Sequence, residues 1–196
     1  MPTIQDFFNI ADEKHAELRD IALYIHSHPE LGFQEKLASA KLAEFLSANG
    51  FDVEKPLCGY DTALRARAVC NNGNDAPPVC VVGEYDALEI LGHACGHNLI
   101  ATAALSAAYT AKSFAERNGI PLNLCFMGTP AEEQFGGKAK LIQAGAFKDI
   151  QLAIVLNNHT YMRILIVTAT LLIRFFEVCT GWIKQFNYIA SSKISA

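Results

Sequence analysis

The chain has 196 residues, 51% hydrophobic and 18% charged, with a net charge of −4. That length supports one well-buried core, and there is no basic excess to attract nucleic acid or an anionic membrane surface. The longest uncharged apolar run, Ile164 to Ile173 between Arg163 and Arg174, falls well short of the roughly 20 residues a bilayer span needs.

In chain order, the opening MPTIQDFFNIADEKHAELRD turns polar early and lacks the basic-then-apolar order of a signal peptide. Leu18, Ile21, Ala22 and Ile25 recur at helical spacing, up to His28-Pro29, where proline disfavours a helical residue before it. A second helix is expected over about Glu35 to Asn49, with Ala38, Leu42, Phe45 and Leu46 on one face and Gly50 as its stop. FDVE (51–54) and ALRARAV (63–69) alternate like short strands, and NNGNDAPP (71–78) is a turn cluster. VCVVG (79–83) reads as a strand buried on both faces. An alanine-rich helix follows from about Asn98 to Asn118, closed by Gly119 and Pro121. LNLCFMG (122–128) and QLAIVL (151–156) are further buried strands, separated by a short helix at 137–147. The alternation predicts an α/β fold, a mostly parallel central sheet with helices on both faces.

The six cysteines, Cys58, Cys70, Cys80, Cys95, Cys125 and Cys179, form no C-x-x-C pair, and several sit in apolar runs. Buried thiols in a reducing compartment fit them better than a disulfide framework, so a cytoplasmic location is expected.

The polar residues that carry chemistry fall at strand ends. Glu84 and Asp86 follow VCVVG and lead into His93, Cys95 and His97; Glu132 and Glu133 follow LNLCFMG; His159 follows QLAIVL. Sites in open α/β sheets form beyond the carboxyl ends of strands, so three distant segments are expected at one rim. Thiolate, imidazole and carboxylate suit zinc, with manganese, cobalt or nickel as alternatives. Of two adjacent glutamates, one can ligate while the other acts as general base. Each residue also has a plainer reading. Unbonded cysteine is usually packing, a Glu-Glu pair opening a helix suits the helix dipole, and His159 alone reads as a strand-end histidine. His26 and His28 form an H-x-H, but Pro29 stiffens the backbone there and favours a turn role. A thiol hydrolase with Cys95 as nucleophile and His97 as base is disfavoured, because residues two apart seldom orient that way. On the residues alone, metal site and packed turn both stay open.

Taken as blocks, HSHPELGFQE, GEYDALEILGHACGHNLIATAAL, GTPAEEQFGGKAKLIQAGAF and LAIVLNNH resemble the N-terminal half of metallopeptidase family M20, nearest its amidohydrolase and Xaa-Arg (β-alanyl-lysine) dipeptidase-like branch. The resemblance runs over about residues 10 to 159. It implies a zinc-exopeptidase-like catalytic domain with two zinc ions, cleaving an amide or peptide bond of a dipeptide or N-acyl amino acid. Carried onto this chain, Cys95 resembles the ligand that bridges the two metals, and His97, Glu133 and His159 resemble further ligands. Glu132 resembles the general base, and Asp86 the outer acid that orients a ligand. Two departures stand out: Glu89 occupies a place where the family commonly has proline, and LNNHTYMR lacks the proline relatives place soon after the histidine. The resemblance fades after about Met162. It thus implies a partial catalytic domain over 1–160 and an atypical apolar tail over 161–196, without the lid or dimerisation domain through which family homodimers form. The alternative expectation is an inactive fragment or pseudoenzyme acting by protein association.

Overall fold

The computed structural model describes residues 2–157 and 163–168. The first element, α1 (Ile4–Asp12), begins in a capping box: Thr3 Oγ1 accepts from the Asp6 amide, and the Asp6 carboxylate accepts from the Thr3 amide at 2.7 Å. The sequence reading does not include this helix, although Thr3-Ile-Gln-Asp6 carries the signal. Phe7 packs edge-on against Phe114, with ring centroids 5.5 Å apart, and ties α1 to the long helix behind it.

The next helices, α2 (His15–Ser27) and α3 (Lys36–Ala48), fall where the apolar spacing puts them. Then come β1 (Asp52–Glu54), β2 (Leu64–Cys70), β3 (Val79–Glu84), α4 (His97–Asn118) and β4 (Leu122–Thr129). The short helices α5 (Glu132–Phe135) and α6 (Gly137–Gln143) lead to β5 (Leu152–Asn157) and β6 (Arg163–Thr168). Gly119 ends α4 in a left-handed conformation, φ +66°, which glycine adopts without a Cβ penalty.

The six strands form one sheet in the order β1-β2-β4-β3-β5-β6. Its centre is the expected parallel set: β3 pairs with β4 and β5 in parallel, with Val81 opposite both Phe126 and Ile154. Antiparallel pairs flank this core, β1–β2 and β2–β4 on one side and β5–β6 on the other. The expected α/β architecture is therefore a mixed sheet with a parallel heart. Part of the expected tail, 163–168, pairs as β6 against β5. His159, Cys179 and the rest of 161–196 lie outside the described residues.

Both faces of the sheet are covered. On one, Leu18, Ile21 and Ile25 of α2, Leu42, Phe45 and Leu46 of α3, and Ala101, Ala104, Leu105 and Ala108 of α4 pack on Leu64, Val81, Leu124 and Phe126. The alanines let α4 approach closely: a Cβ on Gly83 would meet the Ala104 Cβ at 3.2 Å. On the other face, Leu141, Ala146, Phe147 and Ile150 cover Cys80, Val82, Cys125, Met127 and Ala153. The strand cysteines Cys70, Cys80 and Cys125 are buried in this apolar packing, as their sequence context implies. Among the described residues, no helix is long and apolar enough to cross a membrane.

Candidate metal centre

The parallel strands β3 and β4 run side by side, so the loops that follow them meet at one rim. The loop after β3 carries Asp86 and then His93, Cys95 and Gly96; Gly96 caps α4 with φ +74° and makes His97 the first helical residue. The loop after β4 turns at Ala131, a non-glycine residue with φ +57°, straight into Glu132 and Glu133 of α5.

His97 is the hub. It is 3% exposed. Its Nδ1 lies 2.9 Å from the backbone oxygen of Asp86 and 3.2 Å from Asp86 Oδ1. Two acceptors on that side place the proton on Nδ1 and leave Nε2 for a ligand when the ring is neutral. Nε2 is 3.5 Å from Glu84, 3.5 Å from Glu133 and 3.8 Å from Glu132. Burial pulls the imidazolium pKa down, but the hydrogen bond to Asp86 and the charges of Glu84, Asp86 and Glu132 outweigh it, raising the value to about 8.

Asp86 is held from two directions. It faces His97, and its Oδ2 accepts from the Glu133 amide at 3.0 Å. Burial pushes its pKa up, yet the hydrogen bonds from His97 and the Glu133 and Glu132 amides win and keep it below the ordinary value. Asp86 therefore connects the two loops as a charged acceptor.

Cys95 stands at the exposed side of the same group. A hydrogen bond with Glu133 is the main cause that lifts its thiol to about 11, with burial and the charges of Glu133, Glu132 and Asp86 adding to it. A thiol with that pKa is no nucleophile at neutral pH, which counts further against the thiol-hydrolase reading. The surroundings that raise it are carboxylates, the groups a cation would neutralise. Glu132 is exposed at the mouth; crowding by protein raises its pKa, Lys138 opposes this, and Glu84 adds to it.

Two residues beyond the expected set belong to the centre. Glu84, the last residue of β3, is 5% exposed, and its side chain is paired with the ammonium of Lys138 from the first turn of α6. Ligand atoms of Glu84, His97 and Glu132 lie within 4.8 Å of one another. Glu84 was legible as a strand-end acid, whereas a lysine opening a helix carries no sequence signal of burial. Four carboxylates, those of Glu84, Asp86, Glu132 and Glu133, thus surround one imidazole, with Lys138 and His97 as the cations among them. The structure brings together Cys95, His97, Glu132, Glu133 and Asp86 of the expected residues, while His159 lies outside the described residues.

No family model matches the chain. The chain is 37% identical over 154 residues to the Xaa-Arg dipeptidase of Mus musculus, covering 72% of this chain and 35% of that protein. It is 34% identical over 159 residues to one component of the p-aminobenzoyl-glutamate hydrolase of Escherichia coli, covering 72% and 32%. In fold it matches the crystal structure of a Bacillus subtilis dinuclear metal-binding peptidase from the M20 family, with TM-score 0.60 and 23% identity over 72% of this chain and 42% of that one. The chain spans about a third of the length of the curated relatives it matches. Over that part of their length, the chain is similar in sequence to these two hydrolases and in fold to the M20-family peptidase structure.

Proposed function

We propose that this chain carries the core of a metal-dependent hydrolase site that cleaves an amide or peptide bond of a dipeptide or N-acyl amino acid. The observation that carries the reading is the convergence of four carboxylates on the buried imidazole of His97, with the Cys95 thiol beside Glu133. That donor set fits a divalent cation: imidazole and thiolate suit zinc, carboxylates suit zinc or manganese, and the acidic surplus compensates the charge of the ion. Cys95, His97 and Glu133 would hold it, with His159 as the expected next ligand. Once bound, such an ion supplies Lewis acidity toward a carbonyl and lowers the pKa of water.

The chain's own groups do the rest. Asp86 holds the His97 ring at Nδ1 through its backbone oxygen, with its carboxylate alongside, and through the Glu133 amide it sets the turn that presents both glutamates. Glu132 is open to solvent at the mouth and carries a raised pKa. Those two properties suit a base that takes a proton from the attacking water and hands it to the departing amine. Lys138 is held by Glu84 behind the glutamates and offsets part of the negative charge.

The relatives' names support the substrate class. One is an Xaa-Arg dipeptidase, the other a component of a p-aminobenzoyl-glutamate hydrolase. The test is elemental mass spectrometry of the purified chain beside Cys95→Ser, then a hydrolysis screen with dipeptides and N-acyl amino acids. Bound metal that falls in Cys95→Ser, with turnover lost in Glu132→Gln at unchanged metal content, is the expected result. A folded chain that takes up no metal would overturn the reading for this polypeptide.

A further inference from the structure

The segment Pro29–Glu35, within the block HSHPELGFQE, places no group beside His97, yet it touches both loops that do. The backbone oxygen of Glu30 accepts from the Ala87 amide at 2.8 Å, one residue past Asp86. The Glu30 carboxylate accepts from the amides of Leu37 and Ala38, at 2.9 Å each, and so anchors the segment to the start of α3. Glu35, with 0% exposure, accepts from the Ala131 amide at 2.7 Å, across 96 residues of chain. Gly32 packs so close that a Cβ there would lie 2.8 Å from the Ala131 Cβ, and the Phe33 ring centroid is 5.7 Å from that of Phe135 in α5.

Ala131 is the reason this matters. It holds a left-handed conformation, φ +57°, that L-residues adopt at a cost, and it stands directly before Glu132 and Glu133. A buried carboxyl is itself unfavourable unless something uses it. Burial pushes the Glu35 carboxyl above the ordinary range, against hydrogen bonds that include the one from the Ala131 amide. If packing were the whole of its role, an apolar side chain would fill the place at less cost.

We propose that Glu35 is a positioning residue. Its carboxyl oxygen captures the Ala131 amide, maintains the left-handed turn and so fixes where Glu132 and Glu133 stand relative to His97, while Glu30 pins the Asp86 loop from the same segment. The inference rests on the metal-hydrolase reading for its consequence, and on the contacts alone for its mechanics.

Two readouts on the 196-residue chain separate these. Glu35→Gln keeps a carbonyl acceptor at the same reach, Glu35→Leu removes it, and Glu35→Asp withdraws it by one methylene. Hydrogen exchange of the 130–137 peptide is expected to rise about tenfold in the Leu and Asp variants and to stay near the original rate in Gln, as expected of an amide that has lost its cover. In parallel, cobalt(II) titration followed by absorption is expected to give affinity weakened about 10–100-fold and a shifted ligand-field band in Leu and Asp, restored in Gln. If Leu does not fold, Asp carries the same test. A folded Leu or Asp variant with unchanged exchange at 130–137 would overturn the proposal, as would faster exchange with an unchanged cobalt affinity and spectrum. A chain that takes up no cobalt in its original form would sink the hydrolase reading instead, and the exchange comparison would still decide the clamp.

Discussion

Metal uptake at this centre must compete with two protons, and the competition can be counted. The His97 pKa is raised to about 8 and that of Cys95 to about 11, whereas a metal needs neutral imidazole and thiolate. Between pH 7 and pH 8 the neutral share of His97 rises about 5-fold and the thiolate share of Cys95 about 10-fold, so apparent affinity should rise about 50-fold if both ligate. Cys95→Ser deletes one proton from this count and should leave about a 5-fold rise. The assay is a chelator-buffered zinc or cobalt titration of both proteins at three pH values from 7 to 8. Equal slopes in the two proteins would remove Cys95 from the ligand set. A flat line in Cys95→Ser would mean that no His97 proton is displaced, and the reasoning from geometry to ligand would fail.

Further outcomes follow from the same geometry. Asp86→Ala should weaken metal affinity about 10–100-fold while the chain stays folded: the Asp86 backbone oxygen still faces His97 Nδ1, but the carboxylate beside the ring and the acceptor of the Glu133 amide are lost; unchanged affinity in an equilibrium titration would contradict this. In the metal-free chain, the raised His97 pKa contributes stability that is complete below about pH 6.5 and lost as pH rises through about 8, about 2 kcal/mol in all. Urea unfolding of the chain and of His97→Gln at pH 6 and pH 9 isolates it from the opposite contribution of buried His93, whose pKa is lowered, and an equal pH dependence in the two proteins would contradict it. Gly137→Ala places a Cβ 1.7 Å from the Pro130 carbonyl oxygen, so the turn holding Glu132 and Glu133 must open, at about 1–3 kcal/mol in urea unfolding, with weaker metal binding alongside.

Much of the fold was legible because burial writes itself into local pattern. The runs VCVVG and LNLCFMG became β3 and β4, and their carboxyl ends deliver the site, as strand-end reasoning expects. The antiparallel flanks were less legible, since β2 and β3 both read as strands while nothing local says which neighbour each will take. The helix α1 was missed for lack of a long apolar stripe, although Thr3 and Asp6 announce its start. Cys95, His97, Glu132, Glu133 and Asp86, which the structure brings to one rim, stand out in the sequence by residue type and by resemblance. Lys138 and Glu35 were not assigned, because their partners, Glu84 and the Ala131 amide, lie 54 and 96 residues away. A charge in sequence reads as solvated until the contact that buries it is known.

Those long separations also order events in time. The contacts that shape the centre join Asp86 to Glu133 across 47 residues, Glu84 to Lys138 across 54 and Glu35 to Ala131 across 96. Each closes a loop that includes α4 and at least one strand of the sheet, so none can form early. A growing chain that has carried Cys95 and His97 past the ribosome exit holds two donors and no turn to complete them. On the proposed reading, tight metal capture would wait until α6 has emerged and docked, and the ion would act as a latch on a formed centre rather than a seed for an unformed one.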